Sequence, residues 1–508
     1  MPNALKFPFA PLLLAGLAPV WLFQSLSDVL RPEDLVRPAI VLVAAFALFL
    51  VAVKFLTGSW HRASLWSLGP LILLGMTTQG IAFLAGLAVP IVFGLIIDKG
   101  RVGVNSTFVL NLFAILQLGM AVFVVGPTLF VPNGITLSGS IPGETKLNQQ
   151  PSIIHIVLDG YAASDVITDL YGHDNSTFET ALKNQGFTVM ERAFTPHNQT
   201  LFAMASVMNG TFVKTEDLPD IDTQKLRLQL GKAATKGAAP EILRATGYNF
   251  AYASNAFRPL HFGNGALRIS GPPARFNSME SRLIARVRPL SEAATADHNA
   301  QVRNAFAPEN YTIPAPPFFY FQHILSPHPP FSLTADGEFR STILPVLSDA
   351  SHFVKNSDEN RRRYVEGYGE KLKYTNRALL QQLQDLPSGP IVVIIHGDHG
   401  SGSLWNHESL ERSCALERFG TFFAVYSNVP QVQQAFADLS GAPFNLVNTY
   451  RVLFSALSDS EFENLPDTSF FNRWYEPRHL EPVSPDVRAA SCTAHPSYRV
   501  PNSASQAQ

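Results

Sequence analysis

Asp398 and His399 stand side by side between Gly397 and Gly400, at the end of an unbroken apolar run, Ile391-Val-Val-Ile-Ile395, that follows Pro390. A carboxylate and an imidazole so placed can ligate a divalent cation. The run before them predicts a strand buried on both faces, the usual sort in a parallel sheet. The loop after such a strand is where open α/β sheets place their ligands. The pattern recurs: Ile153–Leu158 runs into Asp159, and Phe318–Gln322 runs into His323 and then Ser326-Pro-His328-Pro-Pro-Phe331. Each polar residue alone is as well explained by a turn. Three at equivalent ends of one sheet would meet in a single crevice.

Thr200 adds a hydroxyl, after Pro196-His-Asn-Gln199 and before the apolar Leu201–Met208. It reads either as the N-cap of a short helix or as an oxygen aimed, with the helix's free N–H groups, at a bound anion. Beside a divalent cation a threonine hydroxyl becomes a usable nucleophile. Two carboxylates, an imidazole and that hydroxyl around one cation would make a phosphoryl-transfer site.

The elements that must position these residues follow from the pattern of the chain. From Ser152 onward strand-like and helix-like segments alternate, which predicts an α/β fold with a mostly parallel central sheet flanked by helices. Helices are expected over Ser176–Gln185, stopped by Gly186, over Leu201–Met208, over Glu241–Thr246, stopped by Gly247, and over Tyr364–Leu386. Further strands are expected at Asn249–Ala253 and Phe422–Tyr426. Residues 133–150 are rich in Gly, Ser and Pro and read as a linker between a membrane part, 1–132, and a catalytic part, 151–477. The Pro- and Ser-rich tail, 478–508, is expected to hang loosely outside the sheet.

Apolar stretches fill residues 1–132, near Phe9–Leu26, Ala39–Leu56, Leu65–Ile97 and Thr107–Val131. The first, second and last have about the length of one bilayer-spanning helix. Thr77-Thr-Gln-Gly80 divides the overlong third, giving about five spans. With an inside N-terminus, five spans leave Lys6, Lys54, Arg62, Lys99 and Arg101 on the cytoplasmic side and only Arg31 and Arg37 outside. Four spans split the same charges almost evenly, so the positive-inside rule favours five, with everything after Val131 outside the cytoplasm. Intramembrane charge is nearly absent, which argues against a transporter. Both cysteines, Cys414 and Cys492, fall in the outer part, as one disulfide tying the tail to the body or as two free thiols. A net charge of −2 without a basic cluster argues against a nucleic-acid partner.

Asp159-Gly160, Asn198-Gln-Thr200 before an apolar helix, His323-x4-His328-Pro-Pro and Gly397-Asp-His-Gly400 resemble the alkaline phosphatase/sulfatase superfamily. The stretch Arg363–Asn376, with Tyr368, Tyr374 and Asn376, is similar to its membrane-bound members. The likeness covers most of Ser152 to about Trp474. Members with several N-terminal spans and a threonine nucleophile include lipoteichoic acid synthase and the phosphoethanolamine transferases. The resemblance implies Asp159, Thr200, Asp398 and His399 as metal ligands, with Thr200 also the nucleophile. It implies His328 as a contact for substrate phosphate or a second metal, with His323 and His407 as further candidates. The ligand types suit zinc or manganese first, magnesium or calcium next. It also implies a multi-pass protein of the bacterial inner (cytoplasmic) membrane with a periplasmic catalytic domain, a phospholipid donor and an envelope glycan or lipid acceptor.

One departure bears on the reaction. Sulfatases mature a Cys or Ser within C/S-x-P-x-R; neither cysteine here has that context, and Ser270-Gly-Pro-Pro-Ala-Arg275 misses it by one residue. Transfer of a phospho-alcohol group is therefore the first expectation. A sulfate or phosphate ester hydrolase of the same fold is the second, and an inactive glycan-binding module the third.

Overall fold

The structure is a computed structural model that describes residues 7–26, 32–67, 104–129, 135–263, 265–269, 275–276, 280–281, 288–307, 314–342, 349–354, 357–490 and 492. The chain divides into two compact units, Met1–Pro132 with Phe276–Val287, and Asn133–Arg275 with Arg288–Gln508.

In the first unit the described helices are Ala10–Leu26, Val36–Thr57, Trp60–Trp66 and Val104–Leu129. Among the described residues one helix, Val36–Thr57, is long and apolar enough to cross a membrane, and shorter apolar segments lie at Ala10–Val20 and Thr107–Phe123. Leu14, Ala15, Phe46, Leu110 and Ala114 pack together inside the unit. Buried Asn111 accepts the Ala10 N–H at 2.9 Å, meeting a donor that a helix start leaves open. Leu48, Phe55, Leu56 and Phe123 face outward, 74%, 75%, 83% and 81% exposed, an apolar surface that water does not favour. The expected division of the third apolar stretch lies outside the described residues, as does most of Ser270–Arg275.

The second unit holds strands β1 (Ser152–Leu158), β2 (Thr188–Val189), β3 (Ala193–Phe194), β4 (Asn249–Ala253), β5 (Leu267–Ile269) and β6 (Phe318–Ile324). It continues with β7 (Ile391–Gly397), β8 (Gly420–Thr421), β9 (Phe423–Ser427), β10 (Phe444–Asn445), β11 (Ser469–Asn472) and β12 (Leu480–Val483). Seven of them form one sheet in the order β2-β9-β7-β1-β6-β4-β5, parallel except where β9 pairs with β7 and with β2. Strands β1, β6 and β7 are buried along their whole length, as their apolar runs predict.

Alternate residues of these strands feed two separate cores, as the two-residue period of a strand requires. Ile153, Val157, Phe319, Phe321, Val392 and Ile394 lie on one face. Ile154, Ile156, Leu158, Tyr320, Val393 and Ile395 lie on the other. Each such side chain contributes about 1.5–3 kcal/mol by leaving water, so the register cannot slip by one residue without losing both cores. That register aligns Leu158 with Ile324 on one side and with Gly397 on the other. Asp159, Leu325 and Asp398 therefore begin their loops at one level.

Helices form close to where the pattern places them, at Ser176–Asn184, Thr200–Asn209 and Ala238–Ala245. Gly186 and Gly247 follow the first and last with a φ of 88° each, a conformation other residues adopt at a cost. The long helix begins earlier than expected, at Asp358, because Ser357 caps it by accepting the Asn360 N–H. Its polar side chains recur at intervals of three and four, so they share one face. The Tyr364 hydroxyl accepts the Gly402 N–H at 2.9 Å. The Tyr368 hydroxyl accepts the Ala162 N–H and donates to the Gly160 carbonyl. Lys371 Nζ donates to the carbonyls of Leu325, His328 and Pro330. Thr375 pairs with Ser326 at 2.6 Å, and Asn376 accepts the Tyr161 hydroxyl at 2.7 Å. One helix thus grips the loops that leave β1, β6 and β7.

Two segments differ from their composition. Residues 135–150 carry no helix or strand, yet Leu137, Ile141 and Leu147 are buried in the core. The expected loose tail is docked as far as it is described. β12 pairs with β11, and Arg488, 1% exposed, bonds Ser469, pairs with Asp467 and lies 3.9 Å from the Phe194 ring centre. One guanidinium satisfied on three sides overrides a Pro- and Ser-rich composition. Cys492 is disulfide-bonded to Cys414, which resolves the alternative of two free thiols.

The two cysteines lie 78 residues apart, and closing a loop of that length in the unfolded chain is worth about 4 kcal/mol. Cys414→Ser with Cys492→Ser is therefore expected to lower stability by that order and to open the tail to proteolysis, read by denaturant titration and limited digestion. Lys371 gives a pH test. Burial pushes its ammonium from 10.5 down to about 7, with Asp159 opposing. Between those values the unfolded chain holds the proton that the folded chain has released, so stability rises with pH across that window and is lost as pH falls toward 7. The stability gap between wild type and Lys371→Met should widen from pH 7 to pH 10; a constant gap would mean the folded lysine stays charged throughout.

Candidate active site

β7 delivers Asp398 and His399 through a turn with no room for side chains beside it. A Cβ on Gly397 would lie 2.3 Å from Thr421 Oγ1 and 2.4 Å from the Tyr161 carbonyl; one on Gly400 would lie 2.0 Å from the Glu417 carbonyl. Space, not backbone twist, demands these two glycines. Asp398 Oδ1 accepts the N–H groups of Gly160 and His399, at 3.0 and 2.9 Å. The carboxylate of Glu417, fully buried, accepts the N–H groups of Ser403 and Leu404 and so fixes the loop that follows.

Around His399 Nε2 the expected residues converge. Asp398 Oδ2 lies 3.4 Å away, Asp159 Oδ1 3.8 Å and Thr200 Oγ1 3.4 Å. His399 Nδ1 donates to the Gly400 carbonyl at 2.8 Å, which leaves the Nε2 lone pair turned to the others. Burial and the Arg418 guanidinium push this imidazole down, outweighing Asp398 and Asp159, so it is in the neutral, ligating form near pH 7. Asp159 Oδ1 and Asp398 Oδ2 are buried and have no hydrogen-bond partner. A buried carboxylate oxygen without a partner is costly. Ligand atoms of Asp159, Asp398 and His399 lie within 4.8 Å of one another, a set that fits a divalent cation.

Thr200 is not the cap of its helix. Gln199 holds that position, its side-chain amide donating to the carbonyls of Asn472 and Arg473, and Thr200 is the first helical residue. The whole of Leu201–Asn209 is buried, so the helix start is held by packing and the hydroxyl stays free to face His399.

The three further histidines take different places. His323 lies within β6, its Nε2 3.1 Å from Asp159 Oδ2 without the alignment of a hydrogen bond. His328 is half-buried in the next loop and donates its backbone N–H to the Asp159 carbonyl at 2.9 Å. Burial would raise the Asp159 carboxyl, but His328, His323 and His399 outweigh it and hold it below the ordinary range. His407 does not join the cluster. Its Nε2 donates to Asp349 Oδ2 at 2.6 Å and its Nδ1 accepts from Trp405 Nε1. Tyr374, noted beside Tyr368, packs near Phe306 instead of gripping a strand-end loop.

Sequence reasoning missed Lys371, Asp349, Glu417 and Arg418. Lys371 was within reach, being three and seven residues from Tyr368 and Tyr364 on one helix face. Nothing near Arg418 in Ala415–Phe419 marks it. A second buried network, Tyr450 hydroxyl to His155 to His396 to the Gly397 carbonyl, lies beneath the site, with 2.7 Å between the two imidazoles. Burial pushes both imidazoles down, so they pair as neutral rings.

No protein-family model and no curated protein matches the chain. Among solved structures, the C-terminal periplasmic domain of EcEptC from Escherichia coli, in complex with zinc, is 12% identical over 72% of this chain and 100% of that one, with a TM-score of 0.43. The integral membrane lipooligosaccharide phosphoethanolamine transferase A from Neisseria meningitidis is 11% identical over 90% of this chain and 84% of that one, with a TM-score of 0.35. A 2-O GAG sulfatase is 14% identical over 65% and 79%, with a TM-score of 0.37. At these scores the chemistry of the site stands on its own residues. Phosphoethanolamine transferases and sulfatases are thus among the solved structures to which this chain is similar.

Proposed function

We propose that the protein is a membrane-anchored, metal-dependent enzyme that moves a phospho-alcohol group, of the phosphoethanolamine or phosphoglycerol type, from a phospholipid to an envelope glycan or lipid. The observation that carries this reading is the meeting of Thr200 Oγ1 and two unpartnered carboxylate oxygens around His399 Nε2. Asp159, Asp398, His399 and Thr200 would hold the cation, zinc or manganese before magnesium or calcium. When bound, it supplies positive charge to the phosphoryl oxygens and acidifies the Thr200 hydroxyl.

Thr200 Oγ1 gives up its proton and attacks phosphorus, the P–O bond to the diacylglycerol breaks, the lipid leaves as its protonated alcohol, and the phospho-alcohol group is carried as a phosphodiester on Thr200. The acceptor hydroxyl then attacks the same phosphorus and releases the threonine. Free N–H groups at the start of the Thr200–Asn209 helix favour the anion held there. His328, tied by its own N–H to Asp159, is the side chain assigned to the substrate phosphate. His323 orients Asp159, and His407 acts at one remove, through Asp349.

Residues 1–132 are read as about five spans in the inner membrane of a bacterium, with residues 151–477 as the catalytic domain in the periplasm and 133–150 joining the two. The long apolar helix Val36–Thr57, the outward apolar side chains and the disulfide support that placement. An enzymatic reporter that works only outside the cytoplasm should be active when fused after Asn133; an inactive fusion would reverse the topology.

Mass spectrometry of protein purified from cells should find a phosphoester on Thr200, its mass giving the carried group. Thr200→Ala should lower turnover by about three orders of magnitude or more. With phospholipid alone the enzyme should turn over slowly, and a glycan acceptor should take the group. Headgroup release unaffected by the acceptor would favour the hydrolase reading instead. Equal function of wild type and Thr200→Ala in cells would favour the inactive binding module.

A further inference from the structure

Arg418 comes to the same point as the expected ligands, and nothing in the chemistry above uses it. Its Nη2 lies 3.3 Å from His399 Nε2, the atom that Thr200 Oγ1 approaches at 3.4 Å. Its side chain is 5% exposed. Its position is set from behind: Nε donates to the Asn198 carbonyl at 2.9 Å, two residues before the nucleophile. Nη1 lies 3.5 Å from Asp349 Oδ2, the carboxylate that also takes the His407 Nε2–H. Asp349 precedes Ala350, whose φ of 60° is the one positive value among described residues other than glycine. Its own carboxylate accepts the Ser351 N–H and hydroxyl, so the carboxylate that backs Arg418 is itself fixed.

A guanidinium cannot ligate a cation, because it has five N–H donors and no lone pair. Three of those donors are engaged, by Asn198, by Asp349 and by the His399 lone pair. Once that lone pair is given to a cation, the Nη2 donor loses its acceptor. A buried guanidinium then faces a second positive charge across a few ångströms, an arrangement that water barely screens. An anion between them removes the repulsion and meets the freed donors. A tetrahedral oxyanion suits best, because the planar fork of arginine matches two of its oxygens.

We propose that Arg418 binds the phosphoryl oxygens of the group carried on Thr200, with Asp349 and His407 as positioning residues that hold the guanidinium. This deepens the reading given under Proposed function and rests on it. Arg418 is then a catalytic residue, touching the charge that builds as phosphorus changes partners. Asp349 sets how firmly it is held, and competes with the phosphoryl group for the same guanidinium.

The test is calorimetric titration of inorganic phosphate into the full-length, zinc-loaded protein in detergent, with zinc content measured on each variant. Arg418→Gln should weaken phosphate by about ten- to hundredfold with zinc stoichiometry unchanged. Arg418→Lys should fall between, keeping the charge without the fork. Asp349→Asn should bind phosphate more tightly than wild type, having lost the competing carboxylate. Equal phosphate affinity in wild type and Arg418→Gln overturns the assignment while leaving the transferase reading intact. If Arg418→Gln loses zinc or its fold, Asp349→Asn decides: tighter phosphate supports the assignment and unchanged phosphate overturns it. A wild-type protein that takes zinc but no phosphate overturns both readings together.

Discussion

Two carboxylates facing each other out of reach of water are the constraint to which the rest of this unit answers. Asp159 and Asp398 offer oxygens within 4.8 Å of one another, where like charges repel by roughly 3 kcal/mol even at an effective dielectric constant of about 20. Part of that repulsion is offset by oriented donors. Asp398 takes two backbone N–H groups, and Asp159 has His323 beside it and the His328 loop against it. The oxygens that remain face inward without partners, and the cation of the proposed function would complete them.

Holding such a cluster demands a frame that does not give. The frame begins in the pairing of β1 with β6 and β7, where the burial of two separate cores locks the register. It continues in the long helix, whose tyrosines, lysine, threonine and asparagine reach the loops beyond those strands. Glu417 and Arg418 finish it from a short helix on the far side of the Asp398-His399 turn. Each loop is thereby held by its strand and by side chains from another element, which is how a site keeps its geometry while charge shifts within it.

Much of this was legible in the chain, for identifiable reasons. Strands buried on both faces announce themselves as apolar runs, so β1, β6 and β7 were found within two residues of their ends. Gly186 and Gly247 punctuate helices because their backbone conformation admits little else. The Asp398-His399 turn was recognisable by its glycines, although their reason, a missing Cβ's worth of space, is visible only once Thr421 and Glu417 are in place. Thr200 was one position off as a cap, since Gln199 can play that part only by bonding Asn472 and Arg473, far along the chain. The tail was misjudged because composition counts prolines and serines and cannot see one arginine satisfied on three sides. Asp349 and Arg418 carry no local signal; their partners are assembled only by the fold.

The disulfide reaches further than the tail it fastens. Cys414 stands immediately before the Ala415–Phe419 helix, whose Glu417 and Arg418 brace the Asp398-His399 turn and the segment that leads to Thr200. The covalent anchor of that helix is residue 492, later in the chain than every other residue described around the turn. Bracing of the Asp398-His399 turn is thus tied to the oxidising power of the compartment in which the chain matures: a reducing milieu leaves the helix fastened by packing alone, and an oxidising one clamps it.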